Sequence, residues 1–292
     1  YYLRLLIIIL LAFKEYKFNF IFNFKDFSKD WIKYSFFIFL SAFAASIIID
    51  IDKSMISKLL ALENVAYYAV AVFIAAVIDT PSRAMFQIVN PLVSEAISNN
   101  DKNRLEELLK KSSMSLFLIS GLIFLLINTN IGEIYNVVES INKIQGYSIA
   151  IPVVLIISIS KLYTSTIGCV NNIISNSNFY QYILFFSIFS ALSLFFLNIY
   201  FIENIGLIGA AYSTLIIIVV FNLLKILLVL VKLKIQPYSI NSIKLFFIIT
   251  VLYLIFSNLE FDFFSHISSI IIKSIIIAII YISICYYLNI SK

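Results

Sequence analysis

The run "IIIKSIIIAIIYISICYYL" (270–288) leaves few options to a chain that contains it. It holds one charge in a stretch long enough to cross a bilayer, for which about 18 or more apolar residues suffice. The run is not alone: "LFLISGLIFLLI" (116–127) and "YILFFSIFSALSLFFL" (182–197) are of the same kind. Of the 292 residues, 62% are hydrophobic and 13% charged, against about 45–50% and 25% in soluble domains. The excess lies in the long runs. The expected fold class is therefore an all-α integral membrane protein, a polytopic helix bundle.

Spacing of the apolar runs predicts one partial span at 1–13 and full spans near 35–57, 65–97, 110–130, 145–177, 179–201, 205–235, 241–258 and 266–288. The opening "YYLRLLIIILLAF" has no Met, no charged leader and no small-residue cleavage site, so it reads as the end of a preceding span and not as a signal peptide. Basic residues gather in alternate connections: 14–33, 98–111 and 232–244. The positive-inside rule makes these cytoplasmic. The net charge of +5 thus reports topology and implies no nucleic acid. The linker "KEYKFNFIFNFKDFSKDWIKYS" (14–35) mixes aromatics with lysines, as an interfacial segment does. "NDKNRLEELLKKS" (100–112) reads as the start of a surface helix with a capping Asn100 or Asp101. Cys169 and Cys285 sit in apolar runs and read as packed thiols, with neither a disulfide nor a metal site. His266, near a helix start, reads as structural.

Charges and prolines inside the apolar spans carry the functional signal. In "AVIDTPSRAMFQIVNPLVSEA" (76–96), at about 100° per residue, Asp79, Arg83, Gln87, Asn90 and Ser94 share a face about 80° wide. Asp79 and Arg83 are spaced to pair. A charge at mid-bilayer costs about 2.5–3.5 kcal/mol even on the mildest scale, so such groups face a bundle interior or a cavity. Pro81 and Pro91 each remove a backbone donor and are expected to bend the helix. On 35–57, Ala42, Ser46, Asp50, Lys53 and Ser57 share a face, Asp50 and Lys53 can pair, and Asp52 points elsewhere, toward the outer interface. On 145–177, Ser158, Lys161, Ser165, Gly168 and Asn172 align. Gly206, Gly209 and Ser213 form a small face suited to close helix packing. Buried ion pairs can simply lock helices together. Three stripes in which Lys53, Arg83 and Lys161 outnumber Asp50 and Asp79 instead suggest a solvated, cation-rich cavity for an anionic group. No Gly-rich phosphate loop, His/Cys metal cluster or hydrolase motif is present in the sequence, and no outer loop is long enough for a catalytic domain, so neither a cofactor, a metal nor an enzyme activity is expected.

The stretch 47–113, with "DK" (Asp52-Lys53) followed by "MI", then "ENVAYYAVA", a Pro-containing polar helix and a basic Leu-rich loop, resembles the polysaccharide flippase family. This is the O-antigen-flippase-like branch of the multidrug/oligosaccharidyl-lipid/polysaccharide exporters. "ENIGLIGAAYSTLI" (203–216) resembles the family's later Gly-Gly-Ala signature. The resemblance covers about 35–235. It implies two six-helix lobes that alternate access for a polyprenyl-diphosphate-linked oligosaccharide in the bacterial inner membrane. Residues 1–13 would end a preceding helix, 14–34 would be the cytoplasmic or interfacial linker, 35–236 the carboxy-terminal lobe and 237–292 two additional helices. The amino-terminal lobe would be missing. Arg83, Lys53 and Lys161 would attract the diphosphate, Gln87 and Asn90 the sugar. Asp79 and Asp50 would pair with those cations or exchange H⁺ or Na⁺, and Pro81 and Pro91 would act as hinges. Lys53 stands where the family usually has Arg, which weakens a bidentate phosphate contact there, and the Pro often found early in the seventh span is missing. Competing readings are a cation-coupled multidrug exporter of the same fold, a membrane-embedded polysaccharide polymerase and a non-transporting scaffold.

Overall fold

The structure, a computed structural model, describes residues 29–142, 146–259 and 265–290. The expected partial span at 1–13 and most of the 14–34 linker lie outside the described residues. The chain divides into two compact units, 1–36 and 37–292. In the first, the described residues are helical from Lys29. Everything below concerns the second.

Eleven α-helices appear among the described residues: α1 (Lys29–Leu59), α2 (Glu63–Ala76), α3 (Thr80–Ser98), α4 (Lys102–Asn128), α5 (Ile131–Asn142), α6 (Ile151–Thr166), α7 (Val170–Asn176), α8 (Gln181–Ile205), α9 (Leu207–Leu233), α10 (Ile240–Ser257) and α11 (His266–Tyr287). In hydrocarbon every backbone polar group must be paired within the protein, which is why such apolar runs become helices. Seven helical segments are long and apolar enough to cross a membrane, with Glu63–Ser98 counted as one. The chain is a multi-pass membrane protein. α1, which contains the expected span 35–57, contributes the shorter apolar stretch Ile32–Ala44.

α6 is the central post: it packs against α2, α4 and α9, while α8 lies along α9 and α3 along α4. Small residues set these distances. Ala71 and Ala75 of α2 and Ala210 and Ala211 of α9 are fully buried against Val153, Val154 and Ile157 of α6. Gly209 lies against the backbone of Phe201, so a Cβ there would collide with the Phe201 carbonyl. This is the close approach expected of the Gly206–Gly209–Ser213 face. α10 and α11 pack on α4 through Ile249, Phe256, Ile277 and Tyr281. Facing outward, Ile271, Ile275, Ile279 and Ile282 of α11 and Phe185, Phe189 and Phe196 of α8 are exposed. In water such faces would be a liability; in lipid they are the solvent-facing side.

Three sequence expectations need correcting. The expected span 145–177 is two helices, α6 and α7, separated at 167–169, where Gly168 adopts φ +57° against the Ser113 backbone. The alignment of Asn172 with Ser158 and Lys161 therefore does not survive, because the helical phase restarts at the break. The stretch 100–112 starts a helix capped by Asp101, as expected, its carboxylate accepting from the Arg104 N–H at 2.9 Å, but that helix is α4 and runs on to Asn128, so the surface helix and the expected span 110–130 are one element. Its Lys110–Glu106 and Lys111–Glu107 pairs, both 2.6 Å, are exposed and contribute little. Finally, α5 was unexpected, although "IGEIYNVVESIN" (131–142) carries apolar residues at 131, 134, 135 and 138, the spacing of an amphipathic helix.

Candidate functional site

The opening polar stripe takes shape around Pro81. A 3₁₀ turn, Val77–Asp79, separates α2 from α3, and Pro81 falls in the first turn of α3. A proline is tolerated there because no intrahelical partner awaits its missing N–H. Pro81 thus starts a helix, where a kink within one was expected. The Val77 carbonyl is taken by the Thr80 N–H, and Ser120 Oγ of α4 donates to the Ile78 carbonyl at 2.9 Å. The break is therefore satisfied by protein. Pro91 lies inside α3, which runs through it without interruption.

Asp79 and Arg83 stand at the N-cap and in the first turn of α3, and were expected to pair. Among the described residues they form no ion pair. Arg83 is exposed, with no hydrogen bond or ion pair from its side chain among the described residues. It lies near the middle of the Glu63–Ser98 segment. Gln87 and Asn90, four and seven residues on, are exposed on the same side. Asn90 Oδ1 accepts from Asn172 Nδ2 at 3.1 Å and from Asn176 Nδ2 at 2.9 Å, which ties α3 to α7. Lys161, half-buried on α6, forms no ion pair among the described residues. Asp50 and Lys53 do meet, Oδ1 to Nζ at 3.1 Å, on the exposed side of α1. No hydrogen bond or ion pair links Lys53, Arg83, Lys161 and Asp79 with one another among the described residues. Asn90 and Asn172, both expected to lie on polar stripes, are joined directly.

The largest departure from expectation is Asp52. It was expected to point toward the outer interface; it is 5% exposed. Its Oδ2 accepts from Tyr68 Oη and from Thr214 Oγ1, and its Oδ1 from Asn198 Nδ2, each at 2.7 Å. The donors come from α2, α9 and α8. All four residues lie roughly 7–10 Å along their helices from the same end of the bundle, at 1.5 Å per residue. All three donors are neutral, and no cation lies within ion-pair distance of this carboxylate among the described residues. A buried carboxylate without a counter-ion is costly, and neutral donors offset only part of that cost. Beside it Asn198 Oδ1 is buried and has no partner. The cluster is thus an oxygen-rich node that a proton or small cation would complete. Helical phase alone placed Asp52 off the Asp50–Lys53 stripe and concealed it. The usable signal was elsewhere: Asn198 is a lone amide in "SLFFLNIYF", and an isolated polar group in such a run needs a partner.

At the carboxy-terminal end of α4, Lys273 of α11 is buried and donates to the carbonyls of Thr129 at 2.7 Å and Leu259 at 2.9 Å. His266 Nδ1 sits 2.6 Å from Glu133 Oε2, joining α11 to α5. Both contacts tie α11 to neighbouring segments. Cys169 and Cys285 are buried free thiols.

No family model and no curated protein matches this chain. Two solved structures do. One is the outward-facing conformation of a multidrug resistance transporter of the MATE family, in the MOP superfamily, with 18% identity and a TM-score of 0.51 over 77% of this chain and 51% of that one. The other, a MOP superfamily transporter from Pyrococcus furiosus described as having a binding pocket of reverse polarity, has 18% identity and a TM-score of 0.49 over the same shares. The chain spans about half the length of each, and what the first of them shows is the fold: a helical membrane bundle like part of a MATE transporter.

Proposed function

We propose that this chain forms one lobe of an ion-coupled membrane transporter that carries a polyprenyl-diphosphate-linked oligosaccharide across the bacterial inner membrane by alternating access. The observation that carries the reading is Arg83. An exposed guanidinium at mid-depth of a spanning segment cannot face lipid, so its side of α3 faces water. On that water-filled face Arg83 supplies a bidentate phosphate contact. Gln87 and the Asn90–Asn172–Asn176 cluster supply the amides that hydrogen-bond sugar hydroxyls. Lys161 and Lys53 add to the positive field. Binding sites of transporters lie between repeats, so a second lobe would complete the site.

The coupling group in this reading is Asp52, in place of Asp79 and Asp50, because among the described residues it is the buried carboxylate, held by neutral donors and by no cation. H⁺ or Na⁺ would bind when the node is open to one side, and its release would free α1 from α8 and α9. The competing reading, export of apolar drugs, finds its best support in a 570 Å³ aromatic pocket lined by Phe185, Phe186, Phe189 and Phe221. Phe185 and Phe189 belong to the exposed apolar face of α8, and that face suits lipid.

The test is the leaflet distribution of lipid-linked oligosaccharide in a deletion strain, read with a membrane-impermeant sugar label. Accumulation on the cytoplasmic side, rescued by the wild-type gene and not by Arg83→Ala, supports the reading. An unchanged distribution together with altered drug resistance would transfer the assignment to drug export.

A further inference from the structure

A cleft of about 600 Å³ opens at the end of the bundle opposite Asp52. It lies where α3 gives way to α4, and is closed by the α7–α8 turn and the last turn of α9. Its size is within the range of about 300–1,000 Å³ typical of ligand pockets. Two cations stand on its wall: Lys102, the first residue of α4, and Lys232, in the last turn of α9. Neither forms an ion pair among the described residues. Lys232 Nζ lies 5.9 Å from the Phe179 ring centroid, so its stem is folded along an apolar surface. One carboxylate, Asp101, also lines the cleft, but it is engaged as the cap of α4. Ser177 and Asn178 of the α7–α8 turn add polar groups, whereas Leu105, Phe179 and Leu233 make the wall apolar.

We propose that this cleft binds the headgroup of an anionic phospholipid, with the phosphate between Lys102 and Lys232 and the start of an acyl chain along Phe179 and Leu233. Three observations favour a lipid over a soluble ligand. The lining is divided between cationic and apolar residues, as an amphipathic ligand requires. The cleft lies at a span end, at headgroup level. This end also carries the lysine-rich connections, which the positive-inside rule assigns to the cytoplasmic leaflet, where anionic lipids attract basic clusters and basic pockets between spans hold their headgroups. The site is distinct from the Asp52 node, since Lys232 lies roughly 27 Å along α9 from Thr214. A lipid held there would bridge the α3–α4 junction to the end of α9.

The experiment uses the full chain purified in detergent. Its thermal unfolding and its affinity for a fluorescent phosphatidylglycerol are measured with phosphatidylglycerol, phosphatidylcholine or sn-glycerol 3-phosphate added. Phosphatidylglycerol is expected to raise the unfolding temperature while the other two leave it unchanged. Lys102→Gln/Lys232→Gln should bind about 30-fold more weakly, from about 1 kcal/mol per lysine, and Lys102→Arg/Lys232→Arg should retain binding. Both lysines are exposed, so the double variant is expected to unfold at the wild-type temperature in phosphatidylcholine, and that control is run first; should it fail, the single variants Lys102→Gln and Lys232→Gln take its place. An equal shift in the charge-removed protein would overturn the site. An equal shift with glycerol 3-phosphate would overturn the lipid in favour of a soluble phosphate. No shift with any addition would overturn both.

Discussion

Asn198 donates through Nδ2 to Asp52 Oδ1 at 2.7 Å, while its own Oδ1, equally buried, has no hydrogen-bond partner. The amide is thus oriented by the carboxylate and presents a second oxygen beside it. Together with Tyr68 and Thr214 it makes a node that lacks positive charge, and the first two predictions concern that deficit.

Asp52→Asn should abolish ion dependence of stability while leaving the fold intact. A ligand that binds only the folded state stabilises it by about 2.7 kcal/mol at 100 times its Kd. Wild-type protein should therefore melt at a higher temperature as Na⁺ is raised, or as pH is lowered if the ligand is H⁺. The Asn variant should show neither response. A variant that keeps the wild-type response would place coupling elsewhere.

Thr214→Val and Tyr68→Phe each remove one donor to the carboxylate without changing shape much. Hydrogen bonds to charged groups are worth about 1.5–3 kcal/mol, and each variant should lose about that much in equilibrium unfolding. Thr214→Ser, which keeps the hydroxyl, should recover most of it.

Arg83→Ala should behave in the opposite way. The side chain is exposed and makes no hydrogen bond or ion pair among the described residues, so stability should change by no more than about 0.5 kcal/mol. Transport should fall by at least about tenfold, equivalent to about 1.4 kcal/mol. Arg83→Lys should give an intermediate rate, because an ammonium cannot make the bidentate contact. Flux in reconstituted vesicles, normalised to folded protein, measures both.

Glycines should separate sharply by position. Gly209→Val drives a side chain into the Phe201 backbone and should cost about 1–3 kcal/mol or more. Gly132→Ala meets nothing within 4 Å on α5 and should stabilise by about 0.4–1 kcal/mol through the unfolded chain. Detergent-solubilised unfolding curves would rank them.

The spans were legible because each is a local property: a run of apolar residues must become a helix in lipid whatever surrounds it. The small face at Gly206, Gly209 and Ser213 was legible for the same reason. The breaks were harder. Pro81 was visible, but whether it kinks a helix or starts one depends on Ser120, some forty residues away, being present to donate to the buried Ile78 carbonyl. Asp52 was hidden because its significance is tertiary. A helical wheel shows what lies beside a residue on its own helix, and all three of its donors come from other helices. Asp79 and Arg83 erred in the opposite direction: i,i+4 spacing permits an ion pair but does not form one, and none joins them among the described residues.

The hydrogen bonds of Asp52 also set an order of events during synthesis. Tyr68 is 16 residues away, but Asn198 and Thr214 follow at separations of 146 and 162. At about 5–20 residues per second, those partners emerge roughly 10–30 s after Asp52 has left the ribosome. During that interval the acid in α1 has one native donor in reach. The docking of α1 is therefore completed only once α8 and α9 have been made, as a latch closed by that pair.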